Sequence, residues 1–241
     1  MLAEIRKLMP NVDVVYLGDI RNVPYGSKTR EELGALTSAA VSRLLSEGAT
    51  KIVSACNSVS ASIVLPMLSI LSLKPFDIIE MVGPTVMALR NEKSKILLVA
   101  TPATVESGIY QQGFKAVGRE ITSLAISDLA GVIEFGGSET EVMKIIKDAL
   151  VGAEGLDYDI LVLGCTHYPL VKDLFKKVLN KSGKKAVIYD PAVAVAAEVK
   201  LRMDEKGDGK LKFLITKDSV LFRTRVKRLF GTDSAEVVVL N

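Results

Sequence analysis

Two cysteines and a single histidine are the side chains of this 241-residue chain best suited to proton chemistry. Cys56 stands in Ala55-Cys56-Asn57-Ser58, just after the apolar run Lys51-Ile52-Val53-Ser54-Ala55 and ahead of a helical pattern. Cys165 stands in Gly164-Cys165-Thr166-His167, again just after an apolar run, with His167 two positions on. On one reading Cys56 uses the exposed amides of a helix N-terminus, which lower a thiol pKa and favour thiolate. The plainer reading makes Cys56 a small buried hydrophobe, with Asn57 and Ser58 as turn and cap. Cys165 has the same pair of readings, His167 being either a partner for the thiol or a turn residue. One arrangement at two distant positions favours chemistry.

Thr101 and Thr104 follow another apolar run, Lys95–Ala100, and are spaced about one helical turn apart. They either cap a helix or present hydroxyls to a small carboxylate. Asn57, Ser58 and Thr166 supply further neutral donors. A pocket built from such groups and two thiols suits a small zwitterion better than a phosphorylated metabolite. A structural zinc site generally takes four Cys or His ligands, more than this chain contains, so no metal is expected. No Gly-x-Ser-x-Gly elbow, Walker loop or Gly-x-Gly-x-x-Gly fingerprint occurs, and no nucleotide or pyridoxal cofactor is expected.

The elements that must position these residues read as alternating strands and helices. Val12–Leu17, Lys51–Ala55, Asp77–Met81, Lys95–Ala100, Asp159–Leu163 and Ala186–Tyr189 have the apolar character of buried strands, and Gly207-Asp208-Gly209 punctuates the tail before Leu211–Ile215. Helices are expected over Leu2–Leu8, from Thr29 with a Thr29/Glu32 capping box to Glu47-Gly48, and after Cys56. More are expected from Gly83-Pro84-Thr85 to Asn91, over Tyr110–Val117 and Thr140–Leu150, through Val178, and over Val193–Met203. This spacing predicts an α/β fold with parallel sheets and function at the carboxyl ends of strands. Cys56, Thr101 and Cys165 all occupy such ends. The chain starts in a helix rather than a strand, and an absent first strand is expected to leave a sheet edge or slot uncovered.

Lys and Arg total 31 against 28 Asp and Glu, a formal charge of +3. That excess is too small and too interspersed to predict a nucleic-acid partner, and the run Arg223–Arg228 reads as a solvated helix face. No secretory h-region follows Met1, no run looks long enough to span a membrane, and two cysteines make no disulfide scaffold. A cytoplasmic, reducing setting is expected.

With these residues in view, the sequence is similar to the aspartate/glutamate racemase family. The resemblance rests on Gly18-Asp19 with Val23-Pro24-Tyr25-Gly26, on Ala55-Cys56-Asn57-Ser58, on Thr101-Pro102-Ala103-Thr104-Val105, and on Leu163-Gly164-Cys165-Thr166-His167-Tyr168-Pro169-Leu170. Ile133-Glu134 and Asp190 extend it toward the C-terminal region, and Ser58 stands where Thr is more usual. The resemblance implies two similar Rossmann-like three-layer lobes facing across a cleft, the first from residues 1–82 plus 189–241 with Cys56, the second from 83–188 with Cys165. It implies cofactor-independent interconversion of L- and D-glutamate for peptidoglycan, with Cys56 and Cys165 as acid/base thiols and His167 beside Cys165. Asn57, Ser58, Pro24, Tyr25, Gly26, Thr101, Thr104, Thr166 and Glu134 become substrate-binding, and a homodimer is expected. Turnover of aspartate or another amino acid, or binding without turnover, are the alternatives. Family members carry a strand and an Asp-Ser-Gly-x-Gly-Gly loop before the helix matching Leu2–Leu8, and an upstream extension is expected to raise both stability and activity.

Overall fold

The computed structural model describes residues 1–62, 74–231 and 235–240. Its second lobe is built on β4 (Ile96–Ala100) and β6 (Ile160–Gly164), both buried at every position. Such continuous apolar runs suit strands covered on both faces, and these lie in a parallel sheet of order β5-β4-β6-β7. The outer strands are β5 (Thr122–Ala125) and β7 (Val187–Tyr189).

Strand alternation divides the side chains between two cores. Leu97, Val99, Leu161 and Leu163 face one cluster, together with residues of α7 (Leu129–Glu134), α8 (Glu139–Val151) and α9 (Lys172–Lys181). Leu98, Ala100, Ile160 and Val162 face the other, with α4 (Val82–Leu89) and α6 (Ile109–Ala116). In the β4–β6 register Ala100 is opposite Gly164, so the next residues, Thr101 and Cys165, leave the sheet side by side.

The first lobe joins distant parts of the chain. β1 (Val14–Gly18) pairs in parallel with β8 (Leu211–Ile215), which pairs with β9 (Ala235–Val239). β2 (Ile52–Val53) pairs with β3 (Ile78–Ile79) in a separate two-stranded sheet. Residues of both β1 and β2 line one cavity. Helices α1 (Leu2–Leu8) and α10 (Ala192–Arg202) pack together, contributing Ile5, Val195 and Val199 to a common core.

The capping box forms as expected on α2 (Arg30–Ser46). The Glu32 amide donates to Thr29 Oγ1 at 3.2 Å, and the Thr29 amide donates to Glu32 Oε2 at 2.8 Å. Several strands are shorter than their apolar runs, β2 and β3 most of all, because only two residues of each pair with the other. The helix after Cys56, α3, runs over Asn57–Ser62, and any continuation lies outside the described residues. β5 and β9 are half-exposed edge strands that a search for buried apolar runs does not find. Pro102–Glu106 forms an additional short helix, α5. Among the described residues no helix is long and apolar enough to cross a membrane.

Candidate active site

Cys165 is delivered by β6 through Gly164. A Cβ at Gly164 would sit 2.6 Å from Leu98 Cδ1 and 3.0 Å from Ala100 Cβ, so glycine permits this close approach to β4. Tyr168 anchors the following turn, its buried hydroxyl donating to the Ile126 carbonyl at 3.1 Å. The turn brings His167 back over the thiol, with Nδ1 3.9 Å from Cys165 Sγ. On the other side His167 Nε2 donates to Glu134 Oε2 at 3.1 Å. Burial works against an imidazolium here, but the bonds to Cys165 and Glu134 outweigh it and raise the His167 pKa to about 9. Glu134 is itself held below its ordinary value: burial pushes it up, and His167 and Arg225 pull it down by more. A doubly protonated ring at neutral pH therefore donates toward both the sulfur and the carboxylate.

Cys56 sits between β2 and α3, where the amides of Val59 and Ser58 bond to the thiol. The helix-terminus reading is overturned in its net effect. Burial raises the thiol to about 11, and the amides only offset part of that rise. Cys56 as a residue is half-buried, and it lines the cavity. Asn57 is held by the Tyr110 hydroxyl, which donates to its Oδ1 at 2.5 Å. Its Nδ2 is buried with no partner among the described residues.

Hydroxyls tie the lobes together beside Cys56. Ser58 Oγ lies 3.0 Å from Thr101 Oγ1 and 3.4 Å from Thr104 Oγ1, and the two threonine hydroxyls are 3.0 Å apart. Thr101 occupies the N-cap of α5 without a side-chain capping bond, so its hydroxyl serves this cluster. The Pro24-Tyr25-Gly26 loop packs onto the same threonine. A Cβ on Gly26 would fall 2.5 Å from Thr101 Cβ, which is why only glycine fits. Tyr25 is fixed from behind, its hydroxyl donating to Asp19 Oδ2 at 2.6 Å. Asp19 also accepts from Asn22 at 2.9 Å and from the Thr216 hydroxyl at 2.7 Å.

A cavity of about 850 Å³ gathers these groups, with Cys56, Asn57, Thr101, Cys165, Thr166 and His167 on its wall. Pro24, Tyr25, Gly26 and Ser58 line it too. Two residues expected to bind substrate stand back from the wall. Thr104 is fully buried behind Thr101, and Glu134 lies behind His167. Sequence reasoning gave no site role to Asp19, although its place at the end of β1 was a usable signal. It also missed Tyr110 and Arg225, for which no local signal existed. Among the described residues no group of three or more His, Cys, Asp or Glu side chains could hold a metal ion.

Two thiols reach one cavity from the carboxyl ends of strands in different sheets, one beside an imidazolium and one beside amides and hydroxyls. This is the equipment of an enzyme that moves protons at a small molecule. The chain belongs to the Asp/Glu/Hydantoin racemase family, whose model matches residues 1–199. It is 34% identical over 251 residues to the glutamate racemase of Aquifex aeolicus, covering 100% of this chain and 94% of that one. The glutamate racemase of Lactobacillus acidophilus is 36% identical over 191 residues, 78% of this chain and 70% of the other. Among solved structures, glutamate racemase isoform RacE1 of Bacillus anthracis superposes with a TM-score of 0.83 at 26% identity, over 100% of this chain and 92% of that one. The protein is an amino-acid racemase.

Proposed function

We propose that this chain interconverts L- and D-glutamate by a two-base mechanism that uses its own thiols and no cofactor, supplying D-glutamate for peptidoglycan. The observation that carries this reading is the placement of Cys56 and Cys165 on one cavity wall, from separate sheets. Inversion at Cα needs a base on one face and an acid on the other, and a single group tends to return its proton to the face it came from. As a thiolate, Cys165 takes the Cα proton of L-glutamate while the Cys56 thiol protonates the opposite face; from D-glutamate the roles reverse. Each turnover leaves the two thiols in exchanged protonation states, ready for the reverse reaction.

The surrounding groups fit the two tasks. The His167 ring, its pKa raised to about 9, stands with Nδ1 3.9 Å from the Cys165 sulfur, within reach of the proton that this thiol exchanges. Asn57 Nδ2 and the hydroxyls of Ser58, Thr101 and Thr166 are neutral donors for the substrate carboxylates, where negative charge grows as Cα is deprotonated. Thr104 and Glu134 act from behind, by holding Thr101 and His167. The Pro24-Tyr25-Gly26 loop borders the substrate. In this reading the first lobe comprises residues 1–82 plus 189–241 and the second 83–188, and the enzyme is a cytoplasmic homodimer.

Turnover assays on separate enantiomers test the substrate. L-Glutamate should be converted to D-glutamate until the two are equal, with turnover unaffected by EDTA. Faster turnover of aspartate than of glutamate would overturn the assignment, as would amino-acid binding without exchange of the Cα proton.

A further inference from the structure

The basic run Arg223–Arg228 lies on α11 (Val220–Phe230) of the first lobe. Arg223, Lys227 and Arg228 are exposed, as a solvated face requires, but Arg225 is not. Its side chain is 21% exposed and crosses to the second lobe, where two neighbouring groups of α7 receive it. Nη2 donates to the Ile133 carbonyl at 2.6 Å, and Nη1 donates to Glu134 Oε2 at 3.2 Å. Glu134 Oε2 is also the oxygen that accepts from His167 Nε2 at 3.1 Å. One carboxylate oxygen thus links a first-lobe guanidinium to the imidazole beside Cys165.

We infer that Arg225 is a cross-lobe positioning residue of the Cys165 half-site, holding Glu134 and, through it, His167 against the thiol; this rests on the two-thiol reading above. Three physical points support it. A guanidinium is planar and forked, so it can fix both the Ile133 carbonyl and the neighbouring carboxylate, which a single ammonium does less well. A cation at the carboxyl end of a helix satisfies carbonyls that the helix leaves open and meets the negative end of its dipole. Glu134 is only 13% exposed, and its two charged partners among the described residues are His167 and Arg225. Removing Arg225 leaves Glu134 with one restraint, and the imidazole then loses its fixed distance to sulfur. The contact also spans the lobes, so it makes the Cys165 side sensitive to how α11 sits against α7. Among the described residues no such ion-paired chain reaches Cys56, whose hydrogen-bonding neighbours are the amides of Ser58 and Val59 and the Ser58 hydroxyl.

The test uses 3-chloroglutamate of L or D configuration at Cα. Proton abstraction expels chloride from Cβ as the electron pair forms the Cα–Cβ double bond. The enamine then tautomerises and hydrolyses to 2-oxoglutarate and ammonium, which are measured. This reaction needs one base and no proton returned to the opposite face, so each enantiomer reports on one thiol. Cys165→Ser defines which enantiomer depends on Cys165. Arg225→Gln should lower elimination from that same enantiomer about tenfold, leave the other within about twofold, and be partly rescued by Arg225→Lys. Arg223→Gln on the same helix, where Arg223 pairs with Asp218, should change neither. Equal losses on both enantiomers, no loss on either, or loss confined to the opposite enantiomer would overturn the role of Arg225. Retention of both eliminations by Cys165→Ser would instead overturn the two-thiol reading itself.

Discussion

The two thiols are prepared by different means. Cys165 leaves a five-residue strand buried at every position and enters a turn anchored by Tyr168, with His167, Glu134 and Arg225 linked in sequence behind it. Cys56 leaves a strand of two paired residues and meets neutral groups, the amides of Ser58 and Val59 and a cluster of hydroxyls. Burial pushes Cys56 up to about 11, while the Cys165 side carries a ring with its pKa raised to about 9. A racemase must stabilise thiolate on either face in turn. On the proposed two-thiol mechanism this need not be done symmetrically: one side has a charged ring beside it, the other amide and hydroxyl dipoles.

The largest effect that would break the comparison is expected from His167→Asn. It removes the charged partner of one thiol only, and racemisation should fall about a hundredfold. Elimination from 3-chloroglutamate should fall for the Cys165-dependent enantiomer and be nearly unchanged for the other; equal losses would show that the ring serves both faces. The same side chain should leave a signature in stability. Its folded pKa of about 9 lies above the ordinary value of about 6.5, so the folded state binds this proton more tightly. The stabilisation is complete below about pH 6.5 and is lost as pH rises through about 9. Denaturant titrations should therefore separate wild type from His167→Asn most at low pH and least above that window.

A smaller effect sharpens the Cys56 side. In Cys165→Ser the remaining thiol should ionise, by its thiolate absorbance, well above the usual value of about 8.5 and toward about 11. A midpoint below the usual value would mean that the α3 amides, not burial, decide its state. The smallest effect is expected at Gly26→Ala, whose Cβ meets Thr101 Cβ at 2.5 Å. Overpacking at such a contact costs about 1–3 kcal/mol. Here the loop can move away, so KM should rise several-fold more than kcat falls. An unchanged KM would show that the loop does not border the substrate.

How much of this was legible in the sequence follows the same divide. β4 and β6 could be read because strands covered on both faces are continuous apolar runs, and they place Thr101 and Cys165 correctly at one sheet end. His167 lay close enough to Cys165 in the chain to be paired with it. β5 and β9 were not legible, since an edge strand such as Thr122-Ser123-Leu124-Ala125 carries little hydrophobic signal. Of the two readings of Cys56, a buried thiol or one lowered by a helix terminus, the sequence could not decide, because it reveals the terminus but not the depth of burial that opposes it. Arg225 could not have been found at all. Its partner Glu134 is brought to it by the packing of two lobes, and within its own run it looks like the exposed Arg223 and Lys227.

The central claim is that two groups, not one, move the proton, and the most direct measurement follows deuterium at early conversion. L-Glutamate is incubated with the wild-type enzyme in deuterium oxide, and the two enantiomers are separated and analysed by mass. Abstraction by Cys165 and delivery from a solvent-equilibrated Cys56 should place deuterium at Cα of the D-glutamate formed, while the remaining L-glutamate stays unlabelled. Deuterium appearing in the remaining L-glutamate as fast as in the product, or product formed with its original hydrogen retained, would mean that one group serves both faces, and the two-thiol account would be wrong.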